Sequence, residues 1–186
     1  GIFRINKIVF VIFLLSLFLR LTFLPSYLED WDSVQFAMAI HNFDLSQNIT
    51  HAPGYILYIL LARVFYFFFQ SDLDALTFLS ILSGSAIVFP LYLFTKKAFG
   101  ETVGILSSIL FIASPISFIS SISPLTNMPG LFFFLIFVYF LFSANSQRLP
   151  VASGFDGVML GFRANELPRI ACVLLLGFLK RFILKI

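Results

Sequence analysis

Apolar residues in this chain fall into long blocks separated by short polar interruptions, a pattern that predicts helices rather than alternating strands. Read with a membrane-width window, the blocks predict crossings at 8–24, 76–94, 102–119 and 128–142. Two shorter apolar stretches follow at 151–162 and 170–179, each well below the roughly 20 residues a full crossing needs, and they read as a hairpin or as half-helices. The long blocks lack barrel alternation. In lipid, where every backbone polar group needs an internal partner, this leaves an all-α, polytopic transmembrane helical bundle. Arg4 and Lys7 precede the first block and Pro25 closes it. Leu24-Pro25-Ser26 makes a poor small-residue cleavage site, so the block reads as an uncleaved anchor.

The stretch 54–69 decides the topology. It is apolar enough for a helix but holds Arg63 near its centre, at an insertion cost of about 2.5 to 3.5 kcal/mol. Laid along the membrane surface rather than through it, it leaves Asp72 and Asp74 outside and Lys96-Lys97 inside, as the positive-inside rule asks. The expectation is therefore one external loop over 26–75, containing an interfacial helix, and a second external loop over 120–130 rich in Ser and Pro. The first loop carries six acids (Glu29, Asp30, Asp32, Asp44, Asp72 and Asp74) against the lone Arg63, and its Asn48-Ile49-Thr50 fits an N-glycosylation acceptor pattern. Lys96-Lys97 and Gln147-Arg148 mark cytoplasmic turns.

Composition agrees with the pattern. Residues are 60% hydrophobic and 11% charged, and the mean hydropathy of +1.01 is incompatible with a water-facing surface. An excess of 12 Lys and Arg over 9 Asp and Glu is too slight to indicate nucleic-acid binding. The single Cys172 permits no internal disulfide. No repeat, phosphate-binding glycine loop or Cys/His metal spacing is present in the sequence.

Trp31-Asp32-Ser33-Val34-Gln35-Phe36, a polar spacer, then His51-Ala52-Pro53-Gly54-Tyr55 and Leu61-Ala62-Arg63 resemble the first external loop of the GT-C glycosyltransferases, polytopic enzymes that use polyprenyl-phosphate sugars. The nearest branches are the protein O-mannosyltransferases and the aminoarabinose transferases. The likeness extends to Phe99-Gly100, to Ser114-Pro115 and more loosely to Gly161-Phe162-Arg163. It implies that Asp32, four positions before the aromatic Phe36, is the catalytic base, and that His51 attends the donor phosphate. It also implies the partners: a polyprenyl-phosphate-linked sugar donor, an acceptor hydroxyl on protein, lipid or glycan, and the bilayer itself. Transfer would be inverting, at the external or lumenal face of a cell or endoplasmic-reticulum membrane. Relatives commonly carry an acid in the second external loop, where this chain has Asn127, and they continue beyond the equivalent of Ile186. The chain thus reads as a single module, 1–186, forming the N-terminal part of a longer enzyme.

The chemistry asks for a carboxylate to take the acceptor's proton and a cation to meet the charge that gathers on the departing phosphate. Asp32 is the candidate base; His51, Asp30, Arg63, Asn127 and Arg163 are candidate substrate contacts. Each also has a plainer reading. Asp32, with Gln35 three positions on, fits a helix cap. Glu29 and Asp30 fit solvated loop charges, with a divalent metal left open as their ligand and no other cofactor implied. Arg20 and Arg63 fit snorkelling cations, and Asn127 fits a turn. Arg163 lies in an apolar stretch where a charge is costly and marks a ligand site. Asp32 and His51 are expected to converge on one cavity, with Arg163 as third member. Two other classes remain open: a transporter or lipid flippase binding a charged substrate, and an inactive, truncated membrane scaffold.

Overall fold

The computed structural model describes residues 6–43 and 55–142. Among them all regular structure is helical: α1 (Lys7–Leu21), α2 (Trp31–His41), α3 (Ile56–Phe69), α4 (Asp72–Ala86), α5 (Val88–Phe99), α6 (Glu101–Ala113), α7 (Pro115–Ile122) and α8 (Asn127–Phe142).

Local chemistry sets most of the boundaries. Asn6 opens α1 by accepting from the Ile8 N–H at 2.9 Å. The helix ends at Leu21, three residues short of the expected 24, where the Thr22 hydroxyl donates to the Leu19 carbonyl. Ser71 caps α4, accepting from the Asp74 N–H. Pro90 lacks an N–H for the Ala86 carbonyl, which accounts for the small irregularity at Ile87. Helix α4 nonetheless continues into α5, and the joined element Asp72–Phe99 is long and apolar enough to cross a bilayer, at 28 residues.

The single crossing expected over 102–119 is two helices. Pro115 opens α7 with Ser114 as its N-cap, and the chain bends by 62° between α6 and α7. The reason is local, since proline blocks the preceding turn and forces Ser114 out of helical geometry. Together the two helices have the length and apolarity of one broken span.

Helix α3 starts and stops with left-handed residues, Tyr55 at φ 48° and Gln70 at φ 53°. A left-handed non-glycine costs about 1 kcal/mol or more. Gln70 offsets this by donating its side-chain amide to the Tyr66 and Phe67 carbonyls, which the helix end leaves without partners. The chain then reverses through Gln70 and Ser71, and α3 packs on α4. Tyr58, Ile59 and Ala62 of α3 are buried with Leu76 and Leu79 of α4 and with Phe36, Ala39 and Ile40 of α2. At 14 residues, α3 is shorter than a crossing.

A second cluster joins Val9 and Ile12 of α1 to Val88 and Tyr92 of α5. Helices α5 and α6 form a close hairpin around Gly100, whose φ of 99° excludes a side chain without strain. A Cβ on Gly104 would lie 2.8 Å from the Tyr92 ring, so glycine is what lets these two helices approach. Large apolar residues cover the outer face of α1, including Phe10, Leu14, Leu15 and Phe18, as a lipid-facing helix requires.

Candidate functional site

The first and second loops identified in the sequence meet. Phe23, Leu24, Pro25, Tyr27, Glu29 and Asp30 line one side of a cavity of about 370 Å³, and Ile119, Ile122, Ser123 and Pro124 line the other. The volume lies in the range of small-molecule sites. Apolar side chains form most of the wall, and Glu29 and Asp30 supply the acid.

Helix α2 begins in this wall. Asp30 occupies its N-cap position but makes no side-chain capping bond. The backbone carbonyl of Asp30 instead accepts from the Val34 N–H at 3.2 Å and the Ser33 hydroxyl at 2.6 Å. Its carboxylate remains exposed, as do those of Glu29 and Asp32. Capping by Asp32 is therefore corrected: the helix starts at Trp31, and Asp32 is already inside its first turn. Both acids sit where the helix dipole favours negative charge. Asp32 is outside the cavity lining, one residue beyond Trp31.

Phe36, the aromatic four positions after Asp32, holds α2 in place rather than touching the cavity. It is buried and packs edge-on against Tyr55 and Tyr58, with ring centroids 5.2 and 4.9 Å apart. At the other end of α2, Arg63 donates from Nε to the Ile40 carbonyl at 2.8 Å and from Nη2 to the Ala39 carbonyl at 3.1 Å. These are carbonyls that a helix C-terminus leaves open. Arg63 thus acts as a C-terminal cap of α2, a role that neither snorkelling nor substrate contact anticipates. His41 places Nε2 2.8 Å from Oδ1 and 3.1 Å from Oδ2 of Asp72, linking the end of α2 to the start of α4, and its ring stands edge-on to Tyr66. The sequence reading missed this pair.

Arg20 is the clearest correction. It does not snorkel: it is 1% exposed, donates from Nη1 to the carbonyl and hydroxyl of Ser16, and lies 5.7 Å from the Phe118 ring centroid. Burial of a cation in the last turn of an apolar helix carries no hydropathy signal apart from the charge itself.

Asn127 is the first residue of α8 and lies past Pro124, where the cavity lining ends. His51 and Arg163 lie outside the described residues, as do the glycosylation pattern at Asn48 and the segments 151–162 and 170–179. Among the described residues no three of His, Cys, Asp and Glu gather as a metal site, so Glu29 and Asp30 find no third ligand there.

At the far end of α1 and α6 the polar groups are fully engaged. The Glu101 carboxylate accepts from the Asn6 amide at 2.7 Å and the Tyr92 hydroxyl at 3.1 Å, with the Lys96 ammonium 3.5 Å away. Lys96 also donates to the Tyr92 hydroxyl at 2.9 Å.

A chain of this hydropathy, with only helical regular structure among its described residues, is of the class of integral membrane proteins. The model of the dolichyl-phosphate-mannose-protein mannosyltransferase family matches residues 51–184, and the chain belongs to that family. It is thereby a member of a family of membrane glycosyltransferases of mannosyltransferase type. The GT-C resemblance of its motifs agrees with this membership. The match begins after Asp30 and Asp32, so the assignment stands independently of the acidic motif. Nothing among curated proteins or solved structures matches the chain.

Proposed function

We propose that this chain forms the donor-side portion of a multi-pass glycosyltransferase that moves a sugar from a polyprenyl phosphate to an acceptor hydroxyl at the external or lumenal face. The observation that carries the reading is the cavity in which both loops meet beside three exposed carboxylates that have no partner among the described residues. Family membership supports the reaction class.

In this proposal Asp32 takes the proton of the acceptor hydroxyl as its oxygen attacks the anomeric carbon. The bond from that carbon to the phosphate oxygen breaks, and the electron pair leaves on the lipid phosphate. Attack opposite the leaving group inverts the anomeric centre. Asp30, in the cavity wall, binds sugar or acceptor hydroxyls, and His51 meets the phosphate. A general base aligned in this way supplies about 100-fold or more. The apolar wall fits the lipid end of the donor.

The test is transfer from a polyprenyl-phosphate mannose to a hydroxyl-bearing peptide by the protein reconstituted in liposomes. Asp32→Asn should insert normally and lose turnover. Near-normal turnover by that variant, with loss in Asp30→Asn, would move the base to Asp30. Absence of transfer by the unaltered protein with either acceptor peptides or glycans would favour the scaffold reading.

A further inference from the structure

Arg20 has an electrostatic debt within the described residues. A guanidinium carries five N–H donors, and here Nη1 alone is engaged, by Ser16. Nε and Nη2 are buried without a hydrogen-bond partner, and no carboxylate lies within ion-pair distance among the described residues. A buried cation left in this condition is strongly unfavourable, and an anion relieves it. The open atoms are not scattered. Nε–H and one N–H of Nη2 form the side-on fork of the guanidinium, the edge that takes two oxygens of a phosphate or carboxylate at once.

The position of Arg20 says which anion. It lies one turn before Phe23, where the cavity lining begins, and its ring partner Phe118 immediately precedes Ile119 of the opposite wall. Phe23, in the cavity lining, and Phe118 meet edge-on with centroids 5.6 Å apart, so ring contacts lead from the lining to the guanidinium. Phe23 is itself exposed. The cavity therefore has carboxylates in its wall and a buried cation against Phe118, a ring that touches its lining. Leu24, Ile119 and Ile122 contribute apolar surface. A free carboxylate-bearing metabolite would have no use for the apolar surface. A phosphate ester with an isoprenoid or acyl tail uses all three features.

We propose that Arg20 is a second phosphate-binding residue, in addition to His51, taking a lipid-linked phosphate side-on through Nε and Nη2 when Phe23 moves off Phe118. The proposal rests on the reading of the cavity as a polyprenyl-phosphate site and adds to it a second group that grips the phosphate. It makes Arg20 a binding residue that pairs with the leaving group.

Binding is measured on the full chain in maltoside micelles, which contain no phosphate, with emission of the single Trp31 and the thermal midpoint as readouts. Farnesyl phosphate should quench Trp31 and raise the midpoint, and farnesol should bind at least about tenfold more weakly, since only the ester offers oxygens to the fork. Arg20→Met should lower farnesyl phosphate affinity at least about tenfold, and Arg20→Lys should fall between, because an ammonium binds as a point charge. Equal binding of farnesol and farnesyl phosphate by the unaltered chain overturns the proposal without requiring any variant to fold, and so does unchanged affinity in Arg20→Met. Equal competition by phosphatidylglycerol would keep the phosphate site and assign it to bilayer headgroups; competition by inorganic phosphate alone at similar concentration would show that the tail adds nothing and overturn the lipid part. Phosphate-dependent binding in a protein that transfers no sugar would leave Arg20 in place and remove the glycosyltransferase reading instead.

Discussion

The two ends of α1 treat polar groups in opposite ways. At its start, Asn6 caps the helix and also bonds Glu101, which engages Tyr92 and Lys96, so every charge in that cluster has a partner. About 20 Å along the helix, and among the described residues, Arg20 keeps a buried fork open and Glu29, Asp30 and Asp32 stand exposed without ion pairs. The first arrangement is what a structure needs to bring α1, α5 and α6 together. The second costs stability, and under the proposed function it is binding and catalytic capacity held in reserve for a ligand. Under the proposed function the paired end is scaffold and the unpaired end is site.

The largest expected effect breaks the two ends apart by activity. Asp32→Asn should reduce sugar transfer by about 100-fold or more, whereas Glu101→Gln should leave it within a few-fold (about 3-fold or less, given a change of only surface pairing). Equal losses from both in a reconstituted transfer assay would erase the distinction.

Gly104→Ala tests the scaffold end by packing. Its Cβ would lie 2.8 Å from the Tyr92 ring, and overpacking of this sort costs about 1–3 kcal/mol. The thermal midpoint in detergent should fall while farnesyl phosphate affinity stays as it was. An unchanged midpoint would mean that α5 and α6 yield there.

Arg63 sharpens the comparison from the site side. As a cap on the Ala39 and Ile40 carbonyls it contributes about 1 kcal/mol, so Arg63→Ala should lower the midpoint slightly and leave the KM for donor nearly untouched. A rise in donor KM with no loss of stability would make Arg63 a substrate residue after all.

The smallest effect is on stability at the site. Asp30 makes no capping bond, and Asn is as good at an N-cap, so Asp30→Asn should shift the unfolding free energy by less than about 0.5 kcal/mol. A large destabilisation would show that the carboxylate is structural.

Much of this was legible in the residues alone. Hydropathy placed the membrane class, whereas the break that Pro115 imposes lay unread inside one expected crossing over 102–119. The acids at the start of α2 and the Ser and Pro of the second loop were visible as candidates, and the aromatic rhythm from Asp32 to Phe36 and the proline motif pointed to the family.

What the sequence could determine by itself is therefore what depends on neighbours along the chain: helical character, its apolarity and the acidic cluster. The tertiary structure decided the rest, because those facts are made by residues far apart in order. His41 meets Asp72 across 31 positions, Arg63 reaches Ala39 across 24, and Asn6 bonds Glu101 across 95. Arg20 looked like a cation on its way to the headgroups, since its snorkelling length is a property of the side chain. The structure instead buries it, with Phe118 of α7 near the guanidinium and its fork without a partner among the described residues.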